Sequence, residues 1–288
     1  MIEVPDVFVS SIAFGERDFA GLVHKAQSWG ANKIELTHGI TREDKLESQL
    51  VCQSQLQFIV HNYSPPPPEP FVLNLASEDL STLETSLAHC RRAIELSQKL
   101  QARYFSVHAG FAAIVKPEHL GKQIPAENRR DKAVAKAIFE ASIRELVDFG
   151  AKHGVGILVE NNVVAEPNLI EGRNDMLLLA TGEELAEFAE RMGGDHLGLL
   201  IDFGHVKVTA ATLGLDCTAF FDLVSPHTRA LHLSDNNGSH DSNEPFNRDS
   251  WITNTLANFA PEYIVVETRC TTRSQLAACI DAIEVAYG

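Results

Sequence analysis

Short apolar runs alternate along the chain with longer stretches of helical spacing. Val7–Phe14 reads as a first strand, and Phe19, Leu22, Val23, Ala26 and Trp29 then recur at the three-to-four spacing of a helix with one buried face. Gly30 stands where that helix should stop. Lys33–Thr37 predicts strand two, Asp44–Val51 a short helix and Phe58–His61 strand three. A proline run, Pro65–Pro68, favours extended backbone and reads as a stiff loop. Ser77 is expected to cap a helix reaching about Leu100, with Leu83, Leu87, Cys90, Ala93 and Ile94 on its buried face.

The alternation continues. Tyr104–His108 predicts strand four, Asp131–His153 a long helix, Gly156–Glu160 strand five and Glu183–Met192 another helix. Leu199–Ile201 forms a fully buried strand six that ends in Asp202. Phe220–Val224 is a short helix, Thr228–Leu233 strand seven, Trp251–Ala260 a helix and Tyr263–Glu267 strand eight. Ser274 is expected to cap the last helix, Gln275–Ala286. Strand-then-helix units in this number require parallel strands joined by helical crossovers. Eight such units predict an α/β fold, a (β/α)8 TIM barrel forming a single domain over residues 1–288. An open doubly wound sheet lacks support, because no glycine-rich phosphate turn follows strand one.

Composition narrows the function classes. A formal net charge of −15 argues against a protein whose main task is gripping a nucleic-acid backbone. Five cysteines at irregular spacings, with no CxxC, fit free thiols in a reducing compartment, and a cytoplasmic location is expected. Glu3, Asp6, Glu16 and Asp18 leave no signal-peptide pattern at the start, and no apolar stretch reaches the length of a membrane span.

The chemistry collects where the strands end. Strand three ends in His61, four in His108, five in Glu160, and six in Asp202 with His205 just beyond; seven carries His232, followed by Asp235 and Asp241, and eight ends in Glu267. In a barrel these ends share one face, the active-site face. Ionisable groups avoid such positions unless paired or bound to metal. Glu160, Asp202, His232 and Glu267 would set three carboxylates and an imidazole about one axis, where a divalent cation relieves their repulsion. Oxygen-rich ligands with one nitrogen suit Mn²⁺ or Mg²⁺, with Co²⁺ or Zn²⁺ also compatible.

The ordered set Val-His61-Asn-Tyr, Ser-Val-His108-Ala-Gly110, Leu-Val-Glu160-Asn161, Ile-Asp202-Phe-Gly-His205, Leu-His232-Leu-Ser-Asp235 and Val-Glu267-Thr resembles the xylose isomerase-like TIM-barrel superfamily over roughly three quarters of the chain. The resemblance implies that Glu160, Asp202, His232 and Glu267 ligate one divalent metal ion, that Glu160 and Glu267 are the catalytic acid/base pair, and that His205 contacts substrate. The superfamily also holds the endonuclease IV apurinic-site nucleases, in which residues matching His61, His108, Glu160, Asp202, His205, His232, Asp241, Asn243 and Glu267 hold three zinc ions. This chain departs from that branch at Asn243, where the branch has a histidine, and lacks its opening histidine on strand one.

The expected function is therefore a metal-dependent sugar or sugar-phosphate isomerase or epimerase, removing the proton α to a carbonyl by way of a metal-stabilised enediolate. Its substrate would be a small polyhydroxy carbonyl compound, contacted by His61, His108, His205, Asp241 and Arg269. The alternatives are an endonuclease IV-like phosphodiesterase on abasic DNA, an inosose- or dehydroshikimate-type dehydratase, and a sugar-binding protein without catalysis. Neither a nucleic-acid nor a membrane partner is expected, and a homo-oligomer is compatible with the superfamily. Lys116, Lys122, Arg129 and Arg130, in or beside the loop after strand four, read as a solvated loop rather than a phosphate site. His24, His89, His119, His153, His196 and His227 read as structural, and Trp29 and Trp251 as packing residues.

Overall fold

The computed structural model describes residues 5–117 and 124–288, so Lys122 and His119 lie outside the described residues. Eight strands, β1 (Asp6–Ser10), β2 (Lys33–Leu36), β3 (Gln57–His61), β4 (Tyr104–His108), β5 (Gly156–Glu160), β6 (Leu197–Asp202), β7 (Thr228–Leu233) and β8 (Tyr263–Val266), pair in chain order. Every pair is parallel, and β8 closes on β1. The intervening helices are α1 (Phe19–Trp29), α2 (Leu46–Cys52), α3 (Leu80–Lys99), α4 (Lys132–His153), α5 (Gly182–Met192), α6 (Phe203–Leu213), α7 (Cys217–Val224), α8 (Trp251–Leu256) and α9 (Arg273–Tyr287). No described helix is long and apolar enough to cross a membrane, and all five cysteines are free.

Successive strand residues face opposite ways, and the two faces do different work. Outward residues such as Ile34, Val60, Phe105, Val159, Ile201 and Val266 pack against Leu22, Ile94, Phe139 and Phe188 of the helices in one continuous core. Each large side chain fully buried there contributes about 1.5–3 kcal/mol. Inward residues Phe8, Ile59, Tyr104, Leu158, Leu200, Ala230, Tyr263 and Val265 form a separate apolar cluster. One inward position further along the strands the character inverts. Ser10, Glu35, His61, Ser106, Glu160, Asp202, His232 and Glu267 are all buried, and all are polar or ionisable. The inner core thus serves as a dry floor beneath a charged layer.

The structure corrects several expected boundaries. β1 stops at Ser10, and Ser11–Phe14 forms a 3-10 turn closed by Gly15 at φ +64°. Asp79, not Ser77, caps α3: its Oδ2 accepts from the Thr82 amide at 2.9 Å, while the Ser77 hydroxyl accepts from the Asp79 amide at 3.2 Å. Thr272, not Ser274, caps α9. α8 ends at Leu256, short of Ala260. Trp251 packs as expected, stacking on Phe203 with centroids 5.7 Å apart and donating Nε1–H to Asp235. Asp235, tied up by Trp251 and by Lys207 at 2.6 Å, is structural. His89 is structural too, with Nε2 at 2.9 Å from the carbonyl of Asn62, the residue after His61.

Candidate metal centre

Parallel register sets the depth of each group. His61 pairs with Ser106, His108 with Glu160 and Asp202 with His232, and the strands bring the ligand atoms of Glu160, Asp202, His232 and Glu267 together. Two asparagine clamps hold the rim. Asn161, next to Glu160, extends the sheet with its side chain: Oδ1 accepts from the Asp202 amide at 2.8 Å and Nδ2 donates to the Asp202 carbonyl at 3.3 Å. Its own carbonyl lies 2.9 Å from His205 Nδ1. Asn74 Oδ1 accepts from the amides of Ala76 and Phe111 and so ties the loop after β3 to the loop after β4.

Glu160, Asp202, His232 and Glu267 each offer a ligand atom, and these atoms lie within 4.8 Å of one another. His232 Nδ1 is 2.7 Å from Glu267 Oε2, 3.7 Å from Glu160 Oε1 and 4.0 Å from Asp202 Oδ2. Its approach to Glu267 is close but not aligned as a hydrogen bond. His232 Nδ1, Asp202 Oδ2 and both oxygens of Glu160 are buried atoms without hydrogen-bond partners. A buried polar atom left unpaired is costly. Such atoms on three of four converging side chains fit a divalent cation of the oxygen-rich class.

Glu160 is the hub of a wider array. His61 Nε2 and His108 Nε2 each stand 3.4 Å from its Oε2, and His205 Nδ1 stands 3.4 Å from its Oε1. His61, His108 and Glu160 form a second group able to hold an ion. His205 Nε2 faces Asp241 Oδ2 at 3.3 Å. Arg269, proposed from sequence as a substrate contact, is exposed, and its amide donates to the Asn243 carbonyl at 2.8 Å. The structure therefore gathers eight of the nine candidate residues, and among the described residues no ion pair links the exposed Arg269 to them.

Charge in this layer is balanced by protons. Burial lifts the Glu160 carboxyl well above its usual range, against the pull of His232 and His205. Asp202 is pushed up to about 7, by burial first and then by Asp241 and Glu267. Burial alone would raise Glu267, but His232, His61 and His205 hold it well below the usual carboxylate range. His205 and His232 are held well above the usual imidazole value despite burial, by Asp202 and Asp241 in one case and by Glu35 and Glu267 in the other. Burial and the His205 imidazole take His108 down to about 3. Acids this crowded need positive charge among them, whether protons or a cation supply it.

Sequence reasoning missed Glu35. Its Oε1 lies 3.0 Å from His232 Nε2, and both side chains are fully buried. The available signal was its place between Ile34 and Leu36, since strand alternation turns it inward. Elsewhere, a surface cavity of about 550 Å³ lies between α2 and the proline run. Its Arg92 and Lys99 both pair with its Glu47.

Comparison with solved structures shows the same fold at low identity. A D-tagatose 3-epimerase-like protein superposes with a TM-score of 0.73 at 16% identity, over 98% of each chain. The 3-keto-D-glucoside 4-epimerase of E. coli gives 0.65 at 11% identity, over 98% of each. A Thermus thermophilus protein from crystals soaked with zinc chloride gives 0.63 at 19% identity, over 96% of this chain and 97% of that one. A comparison with curated protein sequences finds no match. The sequence profile of the xylose isomerase-like TIM barrel family matches residues 23–285, nearly the whole chain. The chain thus belongs to the xylose isomerase-like TIM barrel family.

Proposed function

We propose that the protein is a divalent-metal-dependent isomerase or epimerase of a small polyhydroxy carbonyl compound. The observation that carries this reading is the convergence of Glu160, Asp202, His232 and Glu267 at the open end of the barrel, the first three with buried ligand atoms that have no hydrogen-bond partner. Several solved structures of similar fold are epimerases of ketoses or keto-glycosides, which supports the substrate class. A cation bound there supplies a Lewis acid for a carbonyl oxygen. Glu160 and Glu267, on β5 and β8, flank the Asp202–His232 pair and so stand ready to take and return a proton at the carbon beside that carbonyl. Return to the same carbon from the other side inverts it; return to the neighbouring carbon isomerises. Asp241 keeps His205 fixed at the rim, where its imidazole can bind a substrate hydroxyl.

The test is solvent deuterium exchange with Mn²⁺-loaded protein on D-tagatose, D-psicose, D-fructose and L-ribulose. Deuterium should enter beside the carbonyl, and Glu267→Gln should abolish the exchange. A second reading, a metal-dependent phosphodiesterase, has in its favour the group His61, His108 and Glu160. Cleavage of abasic-site DNA by a protein that exchanges no ketose proton would establish it instead.

A further inference from the structure

Beneath the proposed cation ligands, one acid lacks a role in the chemistry above. Glu35 is the inward residue of β2, its side chain is fully buried, and its one close polar partner in the described structure is His232, across the barrel on β7. No described lysine or arginine is paired with it. The fold retains a costly buried carboxylate there, with Oε2 unpartnered, beside the equally buried and unpartnered hydroxyl of Ser10, its register partner on β1. A leucine at this position would extend the apolar floor at lower cost.

We infer that Glu35 is a positioning residue that fixes the ring orientation and tautomer of His232 for cation binding. The inference rests on the metal-dependent reading above. A carboxylate only accepts hydrogen bonds, so once a cation displaces the proton from one ring nitrogen the 3.0 Å contact keeps the remaining proton on Nε2. Nδ1 is then the nitrogen left for the cation, and Nδ1 is the atom that faces Glu267, Glu160 and Asp202. The carboxylate also holds the ring edge-on, because rotation about the Cβ–Cγ bond would break the contact on one side and misdirect the lone pair on the other. Glu35, His61 and His232 also lie close enough together to suggest an ion site of their own. The geometry argues otherwise. The Glu35–His232 contact has hydrogen-bond length and alignment, and His61 Nδ1 is occupied by the Ser106 hydroxyl at 3.0 Å, which turns His61 Nε2 up towards Glu160. The same arrangement thus occurs twice. Each histidine is held from below through one nitrogen and presents the other to Glu160.

The experiment compares full-length wild type, Glu35→Ala and Glu35→Gln by Co²⁺ titration, read from the visible ligand-field bands, with circular dichroism in EDTA as the control for folding. Glu35→Ala should weaken Co²⁺ binding by about 10- to 100-fold and alter the bands, the range found when such partners of ligating histidines are removed. Glu35→Gln, whose amide oxygen still accepts from Nε2–H, should restore most of the affinity and the wild-type spectrum. Equal affinity and spectra in wild type and Glu35→Ala would overturn the inference, as would Glu35→Gln falling as far as Glu35→Ala. Wild type that binds no Co²⁺ sinks the metal-dependent reading itself. Should Glu35→Ala not fold, ¹⁵N shifts of His232 in Zn²⁺-loaded wild type decide: a protonated Nε2 supports the assignment, and a protonated Nδ1 contradicts it.

Discussion

Asp202 serves two neighbours with two oxygens. Oδ1 accepts from the His205 amide at 2.7 Å and caps α6, while Oδ2 is buried, unpartnered and turned to the cluster. A helix cap and a proposed cation ligand are therefore one residue. They separate on substitution, because asparagine caps as well as aspartate but carries no charge. Asp202→Asn should change stability in EDTA by less than about 1 kcal/mol, yet weaken Mn²⁺ binding by at least about tenfold, since affinity follows the ligand charge count. Thermal unfolding and calorimetric titration read the two effects apart. Most of the site was legible at this scale, because His61, His108, Glu160, Asp202 and Glu267 each end or follow an apolar run and so stand out against it. Glu35 was not, since one acid inside Ile34-Glu35-Leu36 resembles an exposed strand position until a closed barrel shows that both faces are covered. The orientation of Arg269 was not legible for the converse reason: two residues past Glu267 the chain has left the strand, and alternation no longer tells where a side chain points.

Among the elements, the strand ends and the loops after them form one unit. Gly110, two residues past His108, shows how tightly. A Cβ there would meet Ala76 Cβ at 2.6 Å and both the Ala76 amide and Asn74 Oδ1 at 3.0 Å, so the loops after β3 and β4 touch backbone to backbone. Gly110→Ala should cost about 1–3 kcal/mol through overpacking, read as a lower urea midpoint with an unchanged slope. Helix ends were the least legible feature. Ser77 and Ser274 are sound caps by residue type, but Asp79 and Thr272 stand nearby and take the position. Choice among adjacent capping residues depends on where the preceding loop delivers the chain, which local sequence does not encode. α6 went unread for another reason: its seven buried residues make it apolar nearly all round, so it lacks the one-sided stripe that marks a surface helix.

For the whole molecule, the proposed cation site would couple binding to stability. Burial pushes the Asp202 carboxyl up to about 7 in the folded chain, against an ordinary value of 3.8. A group raised in this way contributes stability at low pH, and that contribution is lost as pH rises through the folded value. His205 and His232, also held above their ordinary value, act in the same direction. Cation binding at the proposed site needs Asp202 and His232 deprotonated, so its stabilising effect grows over the same interval. The gap between Tm in Mn²⁺ and Tm in EDTA should therefore widen from about pH 5 to about pH 8; a constant or narrowing gap would contradict this linkage. The barrel itself was legible because strand and helix periodicities alternate eight times without a linker. Substrate identity was not, because hydroxyl stereochemistry is read by loop side chains that follow neither periodicity.

The most direct measurement is an anomalous-difference map from crystals soaked in Mn²⁺, with data collected on both sides of the Mn edge. The account predicts a peak bonded to Glu160, Asp202, His232 Nδ1 and Glu267, with His232 Nε2 still on Glu35. A fully soaked crystal with no peak among those four side chains, or with its peak elsewhere in the barrel, would contradict it.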